Sequence, residues 1–461
     1  MEKIKIAFLV FFAVGCGTLI AQEPYTLSID KAVALAIEHN LSLSNTKRDL
    51  ETKLRKADTA WNVFIPTVDV SGTMARTNEA STVSALVPVS PTGPGGSYDY
   101  VLPYSQTLPQ WSLSSRLSAS LTFNIALFEG IKNVRMEYEN GKISYQKARL
   151  QLERDIRKSY LQILLLKENI VLLQENISAA ERRLEIARAN YRAGLVPELT
   201  VLQAQVGLEN LRPSLQDLQN NLQIATESLA MNLGLPHGTK LELETIGFPD
   251  PISLDMENFI STAINSKPDL EELRRSIALL KSTRQANWYQ LYTPSVSLGW
   301  TYDPTFQGDP MKDNWFNGDA WQQRSGMFSI TLAWRLNSLL PVSREAQGLV
   351  DLDDSLEKMN TSLALAVRGT ETEVYAVVLQ LQKSQKSIEA LQLNVKLASR
   401  AYTLAEDAYR AGTKDVMEVT NAELDLRKAQ LEVLKEQYNY MTGLLDLEYS
   451  IGVPFGTLTR R

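Results

Sequence analysis

Apolar residues recur at alternating spacings of three and four over long stretches of this chain. One such seam consists of Val201, Ala204, Leu208, Leu211, Leu215, Leu218, Leu222, Ala225 and Leu229, and a second consists of Leu431, Leu434, Tyr438, Met441 and Leu445. An average period of 3.5 residues is typical of helices that supercoil against other helices. Pro213 lies inside the first seam, and we expect it to bend the helix or to occupy an exposed turn.

A long helix is predicted directly before the first seam. The segment from Ile131 to Ala193 contains no proline and only one glycine, Gly141. Roughly 50 helical residues extend over about 75 Å. A compact domain does not need such a length, so we predict a long projecting helical hairpin.

The helical stretches are divided by a turn sequence that occurs twice. Tyr-Arg-Ala-Gly stands at residues 191–194 and again at 409–412, and a Gly-x-Pro sequence follows at 234–236 and at 452–454. Both pairs are 218 residues apart. This constant offset predicts two structural repeats, each with a helical hairpin and a long returning helix. We assign residues 22–240 to the first repeat, with its hairpin tip near 194, and residues 241–461 to the second, with its tip near 412.

In each repeat the pattern changes from helical to alternating after a proline. Short helices are predicted at residues 25–43, where Ser28 is a candidate cap, and at 251–270. Strands follow at about 66–76 and 111–124, and at about 294–303 and 326–335. Each strand has an apolar face and a face rich in Ser and Thr. The segments between the paired strands, 80–110 and 303–322, are rich in turn-forming residues and are predicted to be exposed loops.

Such strands have two interpretations. They form either a sheet that covers a helical core in a soluble domain, or parts of a membrane barrel with the apolar face outward. Their length of about ten residues suits a bilayer crossing. Aromatic residues near strand ends fit interfacial girdles, namely Trp111, Phe123, Trp300, Tyr302 and Trp334. The smallest such barrels have about 8 strands, so the edges would have to pair with other copies of the chain. Two, three or four chains satisfy this equally well on the sequence alone.

The N-terminus has the features of a secretory signal peptide. An apolar segment, Ile4 to Val14, follows Lys3 and Lys5, and we predict a signal peptide over residues 1–21. The alternative is a buried N-terminal helix. Cys16, the only cysteine, lies within this segment after a loose lipoprotein-like box and is a candidate lipidation site. Cleavage after Ala21 would leave no cysteine, and therefore no disulfide.

The charge and the composition favour neither nucleic-acid binding nor catalysis. The net charge is −6, or −7 without Glu2, Lys3 and Lys5, and no basic face is apparent. The only two histidines, His39 and His237, are far apart in the sequence, and we expect ordinary surface or core side chains. The sequence has no Gly-rich phosphate loop and no G-x-S-x-G motif. We therefore predict no enzyme activity, no metal and no cofactor.

The order of these elements resembles that of the TolC-type outer-membrane efflux proteins over nearly all of the mature chain. The resemblance depends on the segments at 25–40, 267–270 and 291–298 and on the two Tyr-x-x-Gly turns. It implies a mainly α fold with β, in which long coiled-coil hairpins form an α-barrel. Four strands per chain would contribute to a 12-stranded outer-membrane β-barrel in a homotrimer.

The resemblance also implies a function and partners. The protein would be the channel-tunnel of a tripartite efflux or type I secretion system, a passive duct with its helical part in the periplasm and its strands in outer-membrane lipid. The two tips would contact a periplasmic adaptor and an inner-membrane pump through Tyr191, Arg192, Gly194, Tyr409, Arg410 and Gly412. The alternative is a periplasmic coiled-coil adaptor or structural protein, although an adaptor would have one hairpin flanked by small β modules.

A pore gate is implied at the second tip. In the resembling family a basic residue just after the turn and acidic residues on the next helical turns lie near the threefold axis. Lys414 takes the basic place, Glu418 the first acidic place, and Asn421 stands where some members have a second acid. Lys414 and Glu418 are also spaced as helical neighbours, so a solvated surface pair is the alternative. The glycine turns are equally explained as helix C-caps, which is compatible with an adaptor contact.

Overall fold

The structure is a computed structural model that describes residues 25–79, 82–88, 101–309, 311–314 and 316–458. The predicted signal peptide and Cys16 lie outside the described residues. The chain divides into two compact units. The first, which we call the helical unit, comprises Met1–Glu51, Asn140–Arg275 and Asn360–Arg461, and the second, the strand unit, comprises Thr52–Glu139 and Ser276–Met359.

Long helices dominate the described chain. The α-helices are α1 (Ile29–His39), α2 (Leu41–Asp58), α3 (Ala126–Arg192), α4 (Glu198–Glu209), α5 (Leu211–Asn232), α6 (Met256–Ser266), α7 (Pro268–Tyr292), α8 (Arg344–Arg410) and α9 (Val416–Ile451). The strands are β1 (Tyr25–Leu27), β2 (Thr67–Arg76), β3 (Thr82–Pro88), β4 (Val101–Thr107), β5 (Trp111–Phe123), β6 (Leu241–Leu243), β7 (Ser295–Tyr302), β8 (Thr305–Gln307), β9 (Trp321–Gln322) and β10 (Met327–Ala333). None of the helices that the structure describes combines the length and the apolar composition that a membrane-spanning helix requires.

The core of the helical unit forms where the short helices pack on the long ones. Tyr160 of α3 is fully buried in one apolar cluster, and its hydroxyl lies 2.8 Å from the carbonyl oxygens of Leu27 and Glu244. These carbonyls flank the parallel pair β1–β6. The prediction of a helix from residue 25 is therefore wrong for its first residues. Ser28 occupies the N-cap position, but its side chain makes no capping hydrogen bond.

The predicted helix at 251–270 also begins later than expected. Helix α6 starts at Met256, where the Asp255 carboxylate accepts a hydrogen bond from the backbone N–H of Asn258 at 3.2 Å. Residues 251–255 are not helical. Carboxylates are favoured at this position because they satisfy otherwise unpaired N–H groups. Helix α6 packs with α8 and α9 in a second apolar cluster.

The seam between 201 and 229 is carried by two helices instead of one. Helix α4 ends at Glu209 and α5 begins at Leu211, with Asn210 between them. Pro213 lies in the first turn of α5, where its missing N–H breaks no helical hydrogen bond. The corresponding helix of the second half, α9, is uninterrupted over 36 residues.

The strand unit contains an antiparallel sheet in the order β2-β5-β7-β10. One row across its four strands consists of Val68, Ala119, Trp300 and Phe328, and the adjacent row consists of Thr67, Ser120, Gly299 and Ser329. The sheet thus has one apolar and one polar face, as the alternation predicts. Among the described residues, no strand pairs with the outer edge of β2 or of β10.

The segments between the strands contain more structure than the predicted loops. Strands β3 and β4 form a separate antiparallel pair within residues 80–110, with Thr82 opposite Thr107. Residues 80–81 and 89–100 of this segment lie outside the described chain. In the other loop, β8 pairs with the first part of β5 and with β9.

Candidate functional site

The tip of the second hairpin is a tight, well-bonded turn. Gly412 has φ +74° and donates its N–H to the Tyr409 carbonyl at 3.0 Å, and Thr413 donates to Ala408 at 3.0 Å. These two bonds form a Schellman motif, which ends a helix through a residue in the left-handed conformation. Helix α9 begins three residues after Thr413, at Val416, whose N–H donates to the carboxylate of the N-cap residue Asp415 at 2.6 Å.

The first tip repeats the same turn. Gly194 has φ +75°, its N–H bonds the Tyr191 carbonyl at 2.9 Å, and the N–H of Leu195 bonds Asn190 at 2.9 Å. A Cβ atom added at Gly194 or at Gly412 would meet nothing within 4 Å. Arg192 is exposed at this tip. Arg410, the matching residue, is also exposed and donates to Glu406 at 2.6 Å. The two turns therefore share one backbone geometry and expose the matching residues Arg192 and Arg410, whereas Tyr191 is exposed and Tyr409 is partly buried.

Of the three predicted gate residues, Glu418 and Asn421 lie in the first two turns of α9, and Lys414 lies in the turn just before this helix. The Lys414 ammonium donates to the Glu418 carboxylate at 2.8 Å, and both side chains are 51% exposed. An exposed pair of this kind contributes little to stability. Asn421 lines a groove of about 710 Å³ between α8 and α9, together with Glu418 and Asp425. The structure thus brings Glu418 and Asn421 to one surface and pairs Lys414 with Glu418.

A buried ion pair near the tips was missed by the sequence analysis. Arg183 of α3 donates to the Glu423 carboxylate of α9, and their side chains are only 13% and 9% exposed. This contact joins the first hairpin to the second. Glu423 follows the buried residues Val416 and Val419 by seven and four positions, so a carboxylate occupies an apolar seam. A charge at such a position was the signal that could have revealed the pair.

Two tyrosines of α8 lie in the same electrostatic environment. Burial raises the pKa of Tyr402, and the charges of Glu406 and Glu423 raise it further, whereas Arg183 opposes the shift. Burial also raises the pKa of Tyr409, with Asp415 as the next cause. The Tyr409 hydroxyl and the Nη1 atom of Arg183 are buried without a hydrogen-bond partner. The region near the second tip therefore contains two buried polar groups, the Tyr409 hydroxyl and Nη1 of Arg183, that lack hydrogen bonds in this arrangement.

A groove of about 500 Å³ opens beside the buried pair. Its polar lining includes Arg183, Glu423 and Arg427, and burial lowers the pKa of Arg427 while Glu423 opposes that shift. Its apolar lining is contributed by Leu199, Leu202, Leu211, Val206, Met417 and Leu424. Side chains from both hairpins thus meet around one carboxylate, that of Glu423, and two guanidinium groups, those of Arg183 and Arg427. The attraction between these charges holds the helices of the two hairpins together, and the helices can separate only if the ion pair between Arg183 and Glu423 breaks.

Comparison with known proteins identifies relatives along most of the chain. The sequence model of the family described as outer membrane efflux protein matches residues 32–235 and 260–453. The outer membrane protein TolC of Salmonella enteritidis is 23% identical over 398 residues, which cover 83% of this chain and 77% of that protein. Nodulation protein T of Rhizobium leguminosarum bv. trifolii is 20% identical over 364 residues, which cover 77% of this chain and 74% of that protein.

A solved structure with the same fold is the Campylobacter jejuni CmeC outer membrane channel. It superposes with a TM-score of 0.71 and 15% sequence identity, over 92% of this chain and 85% of that chain. At 15% sequence identity, this similarity shows a shared fold alone.

Proposed function

The chain belongs to the outer membrane efflux protein family, and from this premise we propose that three copies assemble into one export duct. The match confirms the resemblance to TolC-type proteins, the mainly helical fold with a small sheet, the outer-membrane location and the role as an efflux channel. The alternative of a periplasmic adaptor or structural coiled coil is thereby set aside. Such channels are transport ducts, and we propose that this one has no catalytic activity.

The proposal of a trimer rests on the four-stranded sheet. Its order leaves β2 and β10 as edges, and its apolar face is exposed in the single chain, for example at Val70 (76%) and Ile330 (66%). Unpaired edges are templates for pairing with another chain. Three chains would join β2 of one copy to β10 of the next and give a closed barrel of 12 strands, with the apolar face toward outer-membrane lipid and the polar face toward water.

We assign the tunnel and its closure to the helical unit. Residues 22–240 and 241–461 act as two repeats after removal of residues 1–21, and each ends its hairpin at an open tip. The exposed tip residues Tyr191, Arg192 and Arg410 support a contact with a periplasmic adaptor and, through it, with an inner-membrane pump. Transport needs no cofactor and no nucleic acid in this scheme.

We place the gate near the second tip. Glu418 and Asn421 face one groove, and three copies of Glu418 around an axis would repel one another unless cations screened them. The ion pair between Arg183 and Glu423 would hold the two hairpins of each chain together against that repulsion. Opening would then require this buried contact to separate.

The assembly can be tested directly on the purified protein. The chain should be recovered from the outer-membrane fraction, and light scattering in detergent should give a mass of three chains. In planar bilayers the same material should produce discrete, long-lived currents. A monomer that stays in aqueous buffer without detergent would contradict the proposal.

A further inference from the structure

Arg427 of α9 has a partly buried guanidinium group that forms no hydrogen bond and no ion pair within the part of the chain that the structure describes. It lines the groove of about 500 Å³ beside the pair between Arg183 and Glu423. The lining thus contains two guanidinium groups but only one carboxylate, and that carboxylate already accepts a hydrogen bond from Arg183. Burial is the main cause that lowers the pKa of Arg427, so the surplus positive charge is poorly solvated.

The same groove has an exposed apolar wall. Leu199, Leu202 and Val206 follow one another at spacings of three and four on α4, and each is more than half exposed. Met417 and Leu424 line the groove from α9 and are also exposed. A row of exposed apolar side chains beside polar groups is typical of a binding surface.

Two further hydrogen-bond donors lie at the wall of this groove. Nδ2 of Asn176 and Nη1 of Arg183 are buried without an acceptor, and both residues belong to the lining. A buried donor without a partner is costly, and an acceptor group placed beside it removes that cost. The polar part of a ligand in this groove should therefore be an acceptor with a negative charge, such as a carboxylate or a sulfonate.

The size and the charge of the groove select among ligand classes. A volume of about 500 Å³ suits a small organic molecule better than a single ion. The surplus guanidinium repels a cation, and a neutral apolar molecule would leave Arg427 without a counter-charge. A small hydrated anion such as inorganic phosphate would make no use of the leucines.

We propose that this groove binds a small amphipathic organic anion, with the acidic group of the ligand at Arg427 and its apolar part against Leu199, Leu202 and Val206. Helices of both hairpins line the groove, so a bound ligand contacts both. Binding should therefore stabilise the present arrangement of the hairpins.

The test uses the full-length trimer in lipid nanodiscs, with empty nanodiscs as the background. The probe is anilinonaphthalene sulfonate, a fluorescent aromatic anion, and fluorescence titration should show one saturable site per chain. Arg427→Met should weaken binding at least about tenfold, the size expected for the loss of one hydrogen bond between charged groups. Phenylnaphthylamine has the same aromatic skeleton without the sulfonate, and its affinity should not fall in Arg427→Met.

Two further variants separate the charge from the apolar wall. Lys428→Met is the matched control, because Lys428 is the neighbouring cation on α9 but lines the groove between α8 and α9 instead. This variant should bind the sulfonate as the unchanged protein does. Leu202→Asn alters an exposed side chain of the wall and should weaken the binding of both dyes.

Thermal unfolding gives a second measurement on the same samples. The sulfonate should raise the melting temperature of the unchanged protein and of Lys428→Met more than that of Arg427→Met, because a ligand stabilises the state that binds it. Equal sulfonate affinity in the unchanged protein and in Arg427→Met would overturn the proposal, as it would if a neighbouring chain covered the groove. An equal loss for both dyes in Arg427→Met would also overturn it, since Arg427 would then shape the groove without binding the anion. None of these results depends on the gate.

Discussion

Arg183 and Glu423, which are 240 residues apart in the chain, form a largely buried ion pair that joins the helix leading to the first tip with the helix leaving the second. A charged pair on the apolar side of packed helices is costly to desolvate, and it is costly to break once formed. We therefore expect the pair to stabilise the arrangement of the hairpins in this structure and to resist their separation.

We predict that breaking this pair destabilises the tips and opens the channel. Arg183→Met or Glu423→Gln should lower the stability of the helical unit by about 3 kcal/mol, because each leaves a buried charge or polar group without its partner. Single-channel conductance should increase in planar bilayers. The double variant Arg183→Met/Glu423→Met should recover part of the stability, since no charge remains unpaired.

The exposed pair at the same tip provides the control. Arg410 bonds Glu406 one helical turn away, and Arg410→Met should change stability by less than about 0.5 kcal/mol. Conductance equal to that of the unchanged protein in all of the Arg183 and Glu423 variants would show that the pair is not part of the closure.

A second prediction concerns ion block at the proposed gate. Glu418→Gln should weaken the block by divalent cations, and Asn421→Asp should strengthen it by adding a second acidic ring. Lys414→Met should also strengthen the block, because Lys414 neutralises Glu418 at 2.8 Å in the present structure. Planar-bilayer currents at graded Ca²⁺ concentrations measure each effect.

The same groove supplies a control for this measurement. Glu432 lines it 14 residues further along α9, about 21 Å away along the helix axis. Glu432→Gln should therefore leave the block unchanged. Currents that do not change in Glu418→Gln would remove Glu418 from the gate.

A third prediction is acid sensitivity of the helical unit through Lys147. Its ammonium lies 2.8 Å from Asp269 and 3.0 Å from Glu272. Burial alone would raise the pKa of both carboxyls, but hydrogen bonds from Lys147 to both, and from Ser144 to Glu272, outweigh burial and hold each pKa below its ordinary range. A lowered folded-state pKa stabilises the fold above the ordinary pKa, and this stabilisation is lost as the pH falls through the lowered value.

The melting temperature should therefore fall as the pH is lowered below about 4.5, the ordinary value for Glu272. Lys147→Met should reduce this dependence, because the one group that lowers the pKa of both carboxyls is then lost, while Ser144 still acts on Glu272 and Lys267 and Tyr449 still act on Asp269. Arg275→Met is the matched control, since Arg275 pairs with Glu271 on the same helix at the surface. An identical pH profile for Lys147→Met and the unchanged protein would refute this assignment.

A fourth prediction compares two glycines with nearly the same backbone conformation. Gly194 has φ +75° with open space around it, whereas Gly234 has φ +71° and lies against the His39 backbone. Gly194→Ala should cost about 1 kcal/mol, the strain of a left-handed alanine. Gly234→Ala should cost clearly more, because α1 must also move. Denaturant unfolding of both variants measures the difference, and equal losses would mean that the contact with α1 is easily displaced.

The period of the apolar pattern predicted most of the fold because helices and strands bury different faces. Strand β10 was predicted at about 326–335 and runs from Met327 to Ala333. Strand β1 was missed because three residues carry no measurable alternation and its partner β6 is 216 residues away. The β3–β4 pair was missed because prolines and serines obscure its pattern.

The candidate site was less accessible to sequence reasoning than the fold. The spacing of four residues predicted the contact between Lys414 and Glu418, although Lys414 lies in the turn before α9 and not in the helix itself. The contact between Arg183 and Glu423 depends on how the two hairpins align. The spacing of residues along one helix does not predict how that helix aligns with a helix of the other hairpin. The roles of the tip and gate residues stay predictions.

The unpaired edge strands of the sheet, β2 and β10, have a consequence for the order of assembly and membrane insertion. Within the part of the chain that the structure describes, the outer edges of β2 and β10 have no strand partner and lie next to an apolar face, and hydrocarbon would offer their backbone N–H and C=O groups no hydrogen-bonding partner. Insertion one subunit at a time would leave these groups stranded in the bilayer. If the barrel forms as proposed, we expect neighbouring subunits to meet before or during entry into the membrane.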